Sequence, residues 1–137
     1  MPQLAKGGKW VFGWAVMGEK SIFHAGVLPI PPAAWEEYGF QVGDTAIFIR
    51  GSAHSGGFSL STPALWPESF NAWEGNPRVL GTGTLSALHT AVLPPEIDVV
   101  PGQRLLIIRG SGLALGFTAQ GRIYAEALKH PEIEVFE

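Results

Sequence analysis

The chain contains no cysteine. That excludes a disulfide framework, thiolate catalysis and thiolate metal ligation, and it fits a reducing compartment. Charge is also sparse. Only 15% of residues are charged, and 9 Lys and Arg against 12 Asp and Glu leave a formal net charge of -3. The protein as a whole is therefore not an electrostatic nucleic-acid binder. No apolar run approaches the roughly 18 residues needed to span a bilayer, and Met1 to Lys6 lacks the apolar segment of a signal peptide. These absences lead us to expect a soluble, cytoplasmic protein with no membrane partner. A nucleophile motif, a phosphate loop and a His-Glu metal helix are missing too, and Gly81-Thr82-Gly83 is too short to invoke a nucleotide site. We therefore expect no enzyme and no cofactor.

Glycine, proline and apolar residues are plentiful: 18 Gly, 11 Pro and 46% hydrophobic, in a 137-residue chain. This suits one compact domain of short strands joined by tight turns. The sequence repeats itself. Ile49-Arg50-Gly51-Ser52 recurs as Ile108-Arg109-Gly110-Ser111, and Gly43, Gly57 and Phe58 recur as Gly102, Gly116 and Phe117, at an offset of 59. Seven of the sixteen positions from Gly43 to Phe58 are identical, where chance would supply about one. Upstream, His24 to Pro29 matches His89 to Pro94 at four of six positions with an offset of 65, so the second copy lacks six residues between the blocks.

Two internal repeats, about 9–61 and 78–119, thus flank an inter-repeat segment, 62–77, and precede a tail, 120–137. The first copy offers β-prone runs at Trp10 to Met17, Ser21 to Leu28, Thr45 to Arg50 and Gly57 to Leu60. The second offers Arg78 to Leu80, Leu85 to Leu93, Arg104 to Arg109 and Leu113 to Thr118. Between the second and third runs of the first copy, Pro32 to Gly39 reads as a short helix with proline at its start, acidic side chains early and glycine at its stop. Pro95 to Pro101 has room only for a turn. A short helix is expected from Thr62 to Trp66 and a better one from Arg122 to Lys129, followed by a strand from Glu132 to Phe136 that closes the barrel edge. The expected fold is mainly β, a small pseudo-twofold barrel of two β-β-(α)-β-β units.

Gly26-Val27-Leu28-Pro29-Ile30-Pro31-Pro32, a helical turn, and Gly39-Phe40-Gln41-Val42-Gly43-Asp44 before an apolar strand resemble the core of the AbrB/MazE/SpoVT family. The resemblance covers about fifty residues of the first copy and about forty of the second. It implies a swapped-hairpin barrel, here with both interdigitating units in one chain, with a double-psi barrel as the alternative. It also implies a non-enzymatic regulator or antitoxin-type module that binds DNA. The basic residues near the corresponding face are Lys6, Lys9, Lys20 and Arg78. Against this, the short helix carries Glu36 and Glu37 rather than basic residues, and neutralising phosphates requires several cations on one face.

The residues point to further candidates. Arg50-Gly51-Ser52 and Arg109-Gly110-Ser111 each leave a strand for a glycine-rich connection, where a guanidinium, a hydroxyl and backbone N–H groups can hold an anion. The plainer reading is a hairpin turn with a solvated arginine. His24 and His89 are equivalent and form a weak candidate pair for a metal or for acid–base chemistry, against a structural role at a strand boundary. Trp66, Phe70 and Trp73 form a candidate protein surface, against simple packing. Trp10 and Trp14 share a strand face and read as core. Three functions are open: a DNA-binding regulator; a barrel that has lost DNA binding and takes a small anionic ligand or a protein; and, more weakly, an enzyme built on the histidine pair. A monomer and a homodimer both fit.

Overall fold

A computed structural model describes residues 11–17, 26–51, 56–66, 73–97, 102–109 and 113–136. The protein is mainly β. Its first copy supplies β1 (Val11–Val16), β2 (Val27–Pro29), helix α1 (Pro32–Glu37), β3 (Thr45–Arg50) and β4 (Phe58–Ser61). The second supplies β5 (Val79–Ser86), β6 (Thr90–Val92), β7 (Arg104–Arg109) and β8 (Leu115–Thr118), and the tail adds α2 (Arg122–Ala127) and β9 (Val135–Phe136). The nine strands form one barrel-like, nearly closed sheet in the order β2-β6-β5-β3-β4-β8-β7-β1-β9.

The two copies interlock. The first strand of each pairs with the third strand of the other, β1 with β7 and β5 with β3, both antiparallel. The registers match residue for residue. Trp14 lies opposite Leu106 as Thr82 lies opposite Ile47, and both ladders carry a bulge at the same point, between Val11 and Gly13 and between Val79 and Gly81. Even the flanking hydrogen bonds are duplicated. Met17 N donates to Gln103 O at 2.9 Å, as Leu85 N donates to Asp44 O at 2.9 Å. The pseudo-twofold axis passes between β2 and β6 at the pair Val27–Val92 and, on the other side of the barrel, between β4 and β8.

The equivalences step down along the chain: Val11 corresponds to Val79, Val27 to Val92, Arg50 to Arg109 and Phe58 to Leu115. All three connections are thus shorter in the second copy. This corrects two sequence expectations. The Gly57-Phe58 and Gly116-Phe117 identity is slipped by two residues relative to the structural register. A two-residue slip keeps Phe58 and Phe117 on the same inward face, so the sequence tolerates it. Likewise, the break expected between the runs Arg78 to Leu80 and Leu85 to Leu93 falls later in the chain. A single eight-residue strand, β5, runs through Gly81-Thr82-Gly83, and Ala87 to His89 turn the chain into β6. Leu88 and His89 reach φ 64° and 54°, a conformation rare for side-chain-bearing residues that a three-residue turn here imposes.

Other expectations are trimmed. Thr62 to Trp66 makes one turn, in which Thr62 O accepts from Leu65 N and Trp66 N at 3.0 Å each, and no α-helix. In α1 the acidic residues fall late, because the helix ends at Glu37 and has no acidic residue in its first turn. The tail strand is only Val135–Phe136 and runs parallel to β1. The second run of the first copy begins at Val27 among the described residues, and Ser21 to Ala25 lie outside them.

Strand alternation divides the apolar residues into two cores. Leu105 and Ile107 point into the barrel with Phe12, Leu28, Phe48, Leu60, Leu85 and Phe117. Leu106 and Ile108 point outward and are covered by α2, through Ala127, Ile123 and Tyr124, together with Val11, Trp14 and Ile133. Trp14 meets Tyr124 edge-on at 5.2 Å, so its burial is in the outer core. Trp10 lies outside the described residues.

The copies differ in what lies along their first strand. The end of β6 comes so close to β5 that a Cβ on Gly83 would sit 1.8 Å from Val92 O. The equivalent residue in β1 is Ala15, which lies beside β9. Gly83→Ala is expected to cost about 2–3 kcal/mol in urea denaturation, as an overpacking change that must move backbone. The mirror change, Ala15→Gly, should cost about 1 kcal/mol through backbone entropy and a lost buried methyl.

Candidate functional site at the two barrel ends

The consecutive antiparallel pairing of β3, β4, β8 and β7 sends the turns after β3 and β7 to opposite ends of the barrel. Each end therefore carries one of the two equivalent arginines. At the Arg109 end, α1 lies across the barrel mouth. Pro31 and Pro32 fix the entry of the chain, and Pro32 occupies the first helical position, where a missing N–H costs nothing. Ala34 packs into the core, while Glu36 and Glu37 are exposed in the last turn.

Arg109 binds Glu37 through both ends of its guanidinium fork. Nε donates to Oε2 at 2.6 Å and Nη2 to Oε1 at 2.5 Å. Its Cζ also lies 5.6 Å from the centre of the Phe12 ring. The side chains of Arg109 and Glu37 are 33% and 39% exposed, so solvent screening limits the pair to about 0.5 kcal/mol. Its effect is positional. The hydrogen bond from Arg109, followed by its charge, holds the Glu37 carboxyl below the ordinary carboxylate range. Next to it, Tyr38 is 6% exposed and its Oη donates to Ala114 O at 3.1 Å. Burial first, then the Glu37 charge, pushes the Tyr38 phenol up to about 12. Thus α1 is tied to the turn after β7 at two adjacent residues.

The Arg50 end is built differently. The six residues absent from the second copy are those that would form a counterpart of α1, and Pro94 to Ile97 provide only a turn there. Arg50 is exposed, with no ion pair among the described residues. Its backbone N donates to Arg78 O at 2.8 Å, so Arg50 at the end of β3 lies beside Arg78 in the turn that leads into β5, and Arg78 is exposed as well. Gly51 closes the turn through N–H to Gly57 O at 3.2 Å.

Of the other sequence candidates, Ser52, Gly110, Ser111, Lys6, Lys9, Lys20, Phe70 and His24 lie outside the described residues. His89 is half-buried in the turn before β6, its ring 4.8 Å from that of Trp35 and its carbonyl accepting from Ile30 N at 2.9 Å. Among the described residues no three His, Asp or Glu converge as a metal site would require. Trp66 and Trp73 are half-buried. A groove of about 500 Å³ runs between Val11, Phe12, Pro31, Pro32 and Phe136, with Glu132 and Glu134 beside it. The fully exposed Leu88 borders a smaller depression that shares Pro32 and Phe136. Sequence reasoning named Arg50 and Arg109 but missed Glu37, the partner of Arg109, and Tyr38 beside it. The usable signal was that these two belong to the segment present in only one copy.

Comparison with protein-family models, curated proteins and solved structures returned no match. Among the described residues, no helix is long and apolar enough to cross a membrane.

Two measurements check this electrostatic picture. Tyr38→Phe should cost about 1 kcal/mol, the net worth of one hydrogen bond, and should remove the highest phenol transition from an ultraviolet difference titration. In the tail, His130 is held above its ordinary value of 6.5 by hydrogen bonds to Glu132 and then Glu126. Folding therefore favours the protonated ring. Its stabilising contribution is complete below the unfolded value and is lost as pH rises through the higher folded value. The thermal midpoint should fall more steeply above pH ~6.5 in the natural protein than in His130→Gln.

Proposed function

We propose that this chain is a non-enzymatic binding module, a single-chain counterpart of AbrB-like swapped-hairpin barrels, that recognises a protein or an anionic small molecule rather than duplex DNA. The AbrB-like reading is supported by the reciprocal pairing of β1 with β7 and of β5 with β3, together with the Gly-Val-Leu-Pro-Ile-Pro-Pro and Gly-Asp segments around α1. One observation turns the reading from DNA towards another partner: the arginine offered for anion contact at the α1 end, Arg109, is taken by Glu37. The helix at that mouth then presents Glu36 and Glu37 to solvent. A phosphate backbone approaching it meets carboxylates before it meets a cation, and phosphate contacts dominate DNA affinity.

The test is fluorescence anisotropy of a labelled random-sequence duplex titrated with the protein at about 50 and then about 200 mM salt. No saturable binding is expected up to roughly 100 µM protein, weaker than ordinary non-specific DNA binders. Micromolar binding that weakens steeply with salt would instead establish the DNA-binding regulator and overturn this reading.

A further inference from the structure

The duplication supplies its own control for what an arginine at the end of the third strand binds. Arg50 and Arg109 occupy equivalent positions, fixed by the matched registers of β3 with β5 and β7 with β1. Strand parity places each on the same face as the core residue two positions earlier, Phe48 for Arg50 and Ile107 for Arg109. Each side chain thus leans over a barrel mouth rather than away from it. At one mouth the guanidinium receives a bidentate carboxylate from a short, proline-led helix. The other mouth lacks the six residues that would have carried such a helix. Arg50 there has no ion pair among the described residues, and Arg78, in the turn just before the adjacent strand β5, adds a second exposed arginine. The bulge residue beneath Arg109 is Phe12, and its equivalent by register at the other mouth is Leu80, which is half-buried against the core. An apolar floor and a forked cation are therefore present at the second mouth, and the carboxylate is what differs.

We propose that the Arg50 end of the barrel is a docking site for a glutamate-bearing helical turn of a partner protein, which supplies in trans what α1 supplies to Arg109 in cis. This rests on the reading of the chain as a protein-binding module and names the site and the chemistry of its partner. Bidentate pairing to a carboxylate sets the geometry, and the arginine fork is matched to it better than a lysine would be. Glu96 is the competing group on the protein itself, because its Oε1 lies beside Gly81, near this mouth.

The probe is a blocked synthetic peptide with the sequence of Pro31 to Gly43, added to the full-length protein labelled with ¹⁵N. The readout is the set of arginine Nε–Hε correlations, assigned with Arg50→Gln and Arg109→Gln, together with the backbone amide signals of Gly51 and Val79, which report binding at this mouth when Arg50 is replaced. The peptide should shift the Arg50 signal saturably at roughly millimolar concentration or below. A peptide carrying Glu37→Gln should bind at least about fivefold more weakly, and Arg50→Gln should abolish the response while leaving the fold intact. Three results would overturn the proposal: a peptide response at Arg109 alone, which means simple exchange with α1; equal binding by Arg50→Gln; or a move of the Arg50 signal on Glu96→Gln without peptide, which means that Glu96 already fills the site. Failure here with no DNA binding in the anisotropy titration would remove this site and leave the module reading standing. Duplex binding in that titration would remove both.

Discussion

Everything else in this molecule depends on the reciprocal pairing of first and third strands between the two copies. Within one copy, β1 or β5 leaves an edge of unpaired N–H and C=O groups, and only the other copy supplies the strand that satisfies it. Neither copy can bury its inward face alone, because the barrel core draws on both: Phe12, Leu28, Phe48 and Leu60 from one, Leu85, Leu105, Ile107 and Phe117 from the other. Cooperativity is built into the topology. The key contacts join residues far apart in sequence, such as Val11 with Ile108, so loop-closure entropy opposes them until late in folding.

That constraint also explains where the copies have diverged. Strand registers are shared to the bulge and to the flanking hydrogen bonds, since a one-residue change would turn core residues outward. The connections are free of this requirement, and each is shorter in the second copy. Divergence is thereby directed to the barrel ends and to the space beside the first strands. At one end α1 covers the mouth; at the other a turn replaces it. Along β1 the tail strand β9 fills the edge, whereas along β5 the end of β6 closes in over Gly83 and the chain after it over Gly81. A symmetric scaffold therefore presents two different surfaces.

The repeat, the mainly β class and the helix after proline were legible because each rests on local identity or local chemistry. Arg50 and Arg109 stood out for the same reason, since identical tripeptides mark equivalent turns. The first strand of the second copy was not legible. Val79 and Gly81 keep the identities of Val11 and Gly13, but Thr82, Gly83 and Thr84 replace Trp14, Ala15 and Val16, which leaves a polar, glycine-rich stretch that reads as a turn. Its strand conformation comes from the ladder with β3, a tertiary effect that overrides propensity. The Arg109–Glu37 pair was hidden for a related reason: it joins residues 72 apart in sequence, across the interlock. No local pattern reports such a contact.

The ion pair at Arg109 also clarifies what the arginines do. Glu36 and Glu37 sit in the last turn of α1, where the helix dipole disfavours negative charge. Arg109 offsets that penalty and at the same time fixes how the helix crosses the mouth, with Tyr38 completing the attachment. Because the pair is screened by solvent, little stability is at stake; what it sets is position. The equivalent arginine at the other mouth has the same strand placement, but among the described residues no helix lies there to position. Arg50 thus keeps the strand placement of Arg109 without the carboxylate that, at the other mouth, accepts both arms of the guanidinium fork.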